Sequence, residues 1–132
     1  MLKQQIRTAK LVDPCGHFSQ AVAIPSKGVM VFVSGMTARC ADGKIAGIGD
    51  VEEQTRQVCE NIKSALEAAG GSMDDVCRVD VYLRNIGDGE RVNKVRRQFF
   101  PSPPPASTLV EVSKLASPEF LVEISAIAVI SA

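Results

Sequence analysis

The segment Phe120–Ile130 constrains this chain more than any other stretch. It reads F-L-V-E-I-S-A-I-A-V-I, rich in β-branched residues, and predicts a strand. Alternate side chains of a strand point to opposite faces. Phe120, Val122, Ile124, Ala126, Ala128 and Ile130 therefore face one way. Leu121, Glu123, Ser125, Ile127 and Val129 face the other, and most of that second set is apolar too. Such a strand needs cover on both sides.

The rest of the chain can cover only one of them. Val51, Thr55, Val58, Cys59, Ile62, Ala65, Leu66 and Ala69 recur at three- and four-residue steps and predict an amphipathic helix over Val51–Ala69. Asp50 is placed to cap it with Glu53 in the capping-box position, and Gly70-Gly71 to end it. A second helix is predicted over Gly89–Phe99, capped by Asp88, with Val92, Val95 and Phe99 as its buried side. The run Pro101-Ser102-Pro103-Pro104-Pro105 stops it. Ser19–Ile24 and Val29–Ser34 flank Pro25-Ser26-Lys27-Gly28 and read as a hairpin. Arg78–Leu83 and Thr108–Val112 read as further strands, and a weaker first strand falls within Lys3–Leu11. This is an α+β pattern in one domain, 1–132. Two helices cover one face of a five- or six-stranded sheet. The open face is expected to be covered by another subunit.

Composition removes several function classes. Fifteen basic residues balance fifteen acidic ones, which does not suit a protein built around nucleic-acid phosphates. The longest apolar runs, Val29–Val33 and Ala126–Ile130, have five residues, against about 20 for a membrane-spanning helix. Met1–Lys10 alternates charged and apolar residues without the apolar centre of a signal peptide. The expectation is a cytoplasmic protein with neither nucleic-acid nor membrane partners. Cys15, Cys40, Cys59 and Cys77 form no CxxC pair, and His17 is the one histidine. No metal site or cofactor is expected from that set, and the thiols read as structural.

Taken in order, GHFSQA at Gly16–Ala21, VFVSG at Val31–Gly35, QTRQVCENIKSALEAAG at Gln54–Gly70, DDVCRVDVYL at Asp74–Leu83, VNKVRRQFF at Val92–Phe100, PPASTLVEV at Pro104–Val112 and VEISAIAV at Val122–Val129 resemble the Rid (reactive intermediate deaminase) family, also called the YjgF family. The resemblance runs over nearly the whole chain. It implies a chorismate-mutase-like fold, a mixed sheet with two helices on one face, and a homotrimer whose sheets face inward with ligand clefts between neighbouring subunits. It also implies hydrolysis of an enamine or imine, such as 2-aminoacrylate, to a carbonyl product and ammonia.

Carried over residue by residue, the resemblance makes Glu123 the group that positions the attacking water. Phe18, Ser34, Asn93 and Ser107 become substrate-binding positions. Two of these depart from the family pattern: Ser107 stands where relatives carry the arginine that grips a substrate carboxylate, and Phe18 replaces a tyrosine. The cysteine expected two residues beyond the arginine is matched by Leu109. A carboxylate at Glu123 has its own chemical rationale, since imine hydrolysis needs an aimed water and a proton carrier. Its bland alternative is a solvated strand-edge glutamate. Ser107 is either a ligand hydroxyl or an ordinary turn serine. Arg96 and Arg97 lie three and four residues beyond Asn93, on its side of the helix. Either could supply the missing cation, although an arginine on a short surface helix is more often simply solvated. His17 could act as an acid or base, or be a loop residue without a task, and Cys15 has the same ambiguity.

The function expected is an enamine or imine deaminase, with a 2-aminomuconate-like compound among the candidate substrates. With Ser107 in place of arginine, 2-aminoacrylate should be handled poorly unless another cation compensates. The competing reading is a non-catalytic trimer that binds a small metabolite. Ribonuclease activity, known for some relatives, gains nothing from the balanced charge.

Overall fold

The computed structural model describes residues 3–25 and 27–131. Six strands and two helices follow one another as β1 (Gln4–Ile6), β2 (Ala21–Ala23), β3 (Val29–Met36), α1 (Val51–Ala68), β4 (Val76–Leu83), α2 (Gly89–Phe99), β5 (Ala106–Glu111) and β6 (Val122–Ile130). The four longer strands form one mixed sheet in the order β3-β6-β4-β5, with β4 and β5 parallel and the other pairs antiparallel. β1 and β2 pair separately. The expected single sheet of five or six strands is thus split into four and two.

That split corrects the hairpin expectation. Among the described residues β2 pairs with β1, while β3 pairs with β6 from Val29↔Ile130 to Met36↔Ile124; Ser26, in the expected turn, lies outside the described residues. The long-range partner wins because β6, nine residues long, pairs with six residues of β3, whereas β2 has only three residues to offer. Gly28 makes the approach possible. Its φ is +129, and a Cβ there would sit 2.6 Å from the Ile130 carbonyl oxygen, so only glycine fits.

α1 lies across β3 and β6 and against α2. Val58, Cys59, Ile62 and Leu66 are fully buried against Val79, Leu83, Val122 and Ile124 of the sheet. Asp50 caps α1, its Oδ1 accepting from the amides of Glu52 and Glu53 at 3.1 and 3.2 Å. The Glu53 side chain pairs with Arg56 rather than closing a capping box. At the other end Gly70 takes φ +88 and the Gly71 amide bonds Leu66 O, a left-handed stop. α2 differs from expectation in two details. Asp88 sits at the cap position without a capping hydrogen bond and pairs instead with Arg91. Its buried residues are Val92, Val95 and Arg96, while Phe99 is half-exposed and Phe100 is buried in the core.

The alternation read in Phe120–Ile130 holds as far as Ala128; Val129, on the other face, is buried too, and Ile130 is half-buried. Val122, Ile124, Ala126 and Ala128 are buried under the helices, and Glu123, Ser125 and Ile127 are half-exposed on the other face. Phe32 and Met30, paired with Ile127 and Val129, are 71% and 58% exposed on that open face. No helix among the described residues is long and apolar enough to cross a membrane.

Candidate active site

The proline run after α2 is the scaffold for the site. Its carbonyls have no strand partner of their own and take donors from the N-terminal loop. The Ser19 amide bonds Pro105 O at 3.1 Å, and the Ser19 hydroxyl donates to Pro104 O. Ser19 also bridges to Ala106 at the start of β5. His17 Nε2 lies 2.9 Å from Phe100 O; a carbonyl only accepts, so Nε2 carries the proton. These ties press residues 15–18 against α2 and β5. Gly16 packs closely there, since a Cβ would lie 3.4 Å from Asn93 Nδ2.

Between that loop, the 3-10 turn at Ile86–Asp88, the first turns of α2 and β5 lies a cavity of about 470 Å³. Its walls include Cys15, Phe18, Glu90, Asn93, Arg96 and Ser107. The volume falls in the range of small-molecule sites. Three of the four predicted substrate-binding positions, Phe18, Asn93 and Ser107, meet here. Leu109 closes the apolar side.

Arg96 is the residue that gives the cavity its character. It is 3% exposed, whereas Arg97, one position on, is exposed. The solvated-face expectation therefore holds for Arg97 and is overturned for Arg96. The reason is register: Arg96 falls on the Val92 side of α2 and Arg97 does not. Arg96 Nη1 donates to Asn93 Oδ1 and Nη2 donates to Ser107 Oγ, both at 2.9 Å. Both partners are neutral. No carboxylate of the described residues pairs with Arg96, and its buried Nε has no partner. Burial pushes its pKa down to about 10, with Cys59 opposing and Arg97 adding to the shift, so it stays charged near neutrality. A buried charge without a counter-ion is costly. An anion in the cavity would relieve that cost.

Glu123 is elsewhere. In the sheet Val79 pairs with Ser107, and Tyr82 pairs with Glu123. Val79 and Tyr82 are three residues apart and point to opposite faces. Within one chain, Ser107 therefore faces the helices and Glu123 faces the open side. There its side chain lies over Gly35, where a Cβ would come within 2.9 Å of Glu123 Cδ. Ser34 is exposed at the same irregularity between Val33 and Met36. His17 flanks the cavity without lining it.

Two participants escaped the sequence reading. Glu90 lines the cavity; the three-residue steps Glu90, Asn93, Arg96 along α2 were the available signal. Gln54, fully buried in α1, donates to Glu119 O and accepts from the Leu121 amide, both at 2.8 Å. It fixes the entry to β6 and so the height of Glu123, and only the tertiary contact reveals it. The thiols follow expectation in part: all four are free, and burial pushes the Cys59 thiol up to about 12, which makes it inert. Cys15 is exposed at the cavity wall.

Residues 8–130 match the family model described as Endoribonuclease L-PSP. The chain belongs to this family, the Rid or RutC family. A RutC family protein of Pyrococcus abyssi is 40% identical over 97% of this chain and 98% of its own length. A 2-iminobutanoate/2-iminopropanoate deaminase of Dermatophagoides farinae is 34% identical, covering 97% of each. Among solved structures, the Rid family protein YyfB of Yersinia pestis superposes with a TM-score of 0.87 at 30% identity, covering 98% of this chain and all of that one. The fold of this Rid protein is therefore the family's fold.

Proposed function

We propose that this Rid protein hydrolyses a small imine or enamine, including 2-aminomuconate-like compounds, to a carbonyl product and ammonia. The observation that carries the reading is the open cavity in which Phe18, Asn93 and Ser107 surround a buried cation that has no carboxylate partner among the described residues. The relative named for imine deamination, aligned over almost the full chain, supports the reaction class. Water adds to the imine carbon to give a carbinolamine. Its nitrogen then takes up a proton, the C–N bond breaks with its electron pair leaving on ammonia, and the carbonyl forms.

Glu123 is assigned the proton transfers. Because it faces away from the cavity in its own chain, this assignment requires assembly. A homotrimer with inward-facing sheets would bring the Glu123 face of one copy towards the cavity of the next, and the exposed Phe32 and Met30 supply the apolar surface for that contact. Arg96 also removes the reason to expect poor handling of 2-aminoacrylate, since Ser107 is no longer the cavity's cation position but its support.

The test is ammonia release from freshly generated enamines. Acceleration over the spontaneous rate by the wild type, lost in Glu123→Gln, is the expected result. Binding of a substrate analogue without acceleration would overturn the reading in favour of a non-catalytic metabolite-binding trimer.

A further inference from the structure

Among the described residues two buried side-chain polar atoms have no hydrogen-bond partner, and both are arginine Nε atoms. One belongs to Arg96 and the cavity already described. The other belongs to Arg84 and marks a second cavity. β4 and β5 run parallel and end together at Leu83 and Glu111, where the Val112 amide bonds Leu83 O at 2.8 Å. One residue past Leu83, the Arg84 amide continues the ladder to β6 by bonding Leu121 O at 3.1 Å. The chain between β5 and β6 passes this end of the sheet. From it Lys114, Leu115, Ala116 and Pro118 line, together with Arg84, a cavity of about 410 Å³. None of these residues lines the Arg96 cavity.

The charge of this wall is one-sided. Arg84 and Lys114 are both cations, and no acid lines the space. Neither enters an ion pair among the described residues, whereas Arg56, Arg78, Arg91 and Lys94 all do. Glu111, just before the loop, gives its Oε1 to the Ile86 amide at 3.0 Å. Glu119, at the far end of the loop, is exposed and stands outside the wall. A buried donor without a partner is costly, and an anion in this cavity would supply Arg84 Nε with one. The two cations differ in kind. A guanidinium presents a planar fork to two oxygens, and an ammonium acts as a point charge on a third. A carboxylate would fill the fork and leave Lys114 unused, while a phosphate has oxygens for both. Leu115, Ala116 and Pro118 add an apolar wall beside the charges.

We propose that this cavity binds a small phosphomonoester, its phosphate held by Arg84 and Lys114 and its apolar body against Leu115 and Pro118. The site shares no residue with the imine-hydrolysis site and stands or falls without it. Phenyl phosphate, inorganic phosphate and benzoate are the probes, titrated into the assembled protein. Amide chemical shifts of Leu115 and Ala116 report this cavity, and those of Gly16 and Gly87 report the Arg96 cavity. At Leu115 and Ala116 phenyl phosphate should bind about 5- to 10-fold more tightly than inorganic phosphate, through its buried ring. Benzoate should bind more weakly than phenyl phosphate. The second phosphate pKa is about 6, so affinity for phenyl phosphate should fall as pH is lowered through that value while benzoate is unaffected. Arg84→Gln should weaken both phosphates by about tenfold or more, with the Gly16 and Gly87 responses unchanged. Lys114 is exposed, so Lys114→Gln supplies a variant whose folding is not at risk, and it should weaken both phosphates severalfold. Leu115→Ala should erase the advantage of phenyl phosphate over inorganic phosphate. An absence of phosphate-dependent shifts at Leu115 and Ala116 would overturn the proposal. So would benzoate binding as tightly as phenyl phosphate, or unchanged phosphate affinity in Lys114→Gln. Equal affinity of the wild type for phenyl and inorganic phosphate would overturn the ester in favour of free phosphate.

Discussion

On its helix-covered face the sheet presents Val79, Val81 and Ile124, each at most 1% exposed, whereas on its other face Phe32 and Met30 remain more than half exposed. Both sets are apolar, and both come from strands of similar length. The difference lies in what the chain has left to place over them. α1 and α2 complete one face, and with it a cavity whose cation and polar supports all belong to one subunit. The other face, which carries Glu123 over Gly35, is left uncovered by the described residues around Phe32 and Met30. One half of the proposed chemistry is therefore built by folding and the other half awaits assembly.

Several measurements sharpen that division. The largest effect is expected on the open face: Phe32→Asp should convert a trimer near three times 14.1 kDa into monomers in sedimentation at micromolar concentration, because a charge replaces an apolar contact. A wild type that sediments as a monomer would remove the assembly argument. Ile62→Ala on the covered face should instead cost about 2–5 kcal/mol in chemical denaturation while leaving the subunit count unchanged, as expected for a cavity in a closed core.

Smaller effects test the site. Glu123→Gln should lower turnover by about 10²-fold with assembly and ligand affinity retained; a parallel loss of melting temperature and activity would make Glu123 structural instead. Gly35→Ala should push the Glu123 carboxylate from its place and reduce turnover by roughly tenfold or more, read as kcat against an unchanged trimer. The smallest change concerns pH. Burial lowers the Arg96 pKa only to about 10, with the neighbouring Arg97 charge adding to the shift. The protonated form that binds an anion persists below that value. Affinity for propanoate should therefore be flat from pH 6 to 9 and fall as pH rises through about 10.

Local pattern was enough for the elements themselves. The stripe from Val51 to Leu66, with Asp50 before it and Gly70 after it, specifies α1 because each position is judged by neighbours three or four residues away. The same holds for the alternation in β4 and β6, and for the conclusion that a two-sided apolar strand exceeds what two helices can cover. Asn93 and Ser107, which line the cavity, were among the positions that the resemblance singled out.

What the sequence could not rank were choices between competing partners. β3 had a local candidate in β2 and a distant one in β6, and the longer ladder decided. Arg96 and Arg97 look alike as neighbours in a string; α2's rotation against the sheet buries one beside Ser107 and leaves the other in water. Glu123 and Ser107 are both assigned to the site by resemblance, yet strand register puts them on opposite faces of the same sheet. Local periodicity thus determined which segments are helices and strands, because that depends on near neighbours. Tertiary structure alone decided which charge is buried, which carboxylate shares its cavity and which face stays open. Those outcomes depend on how elements far apart in the chain compete for the same buried surface.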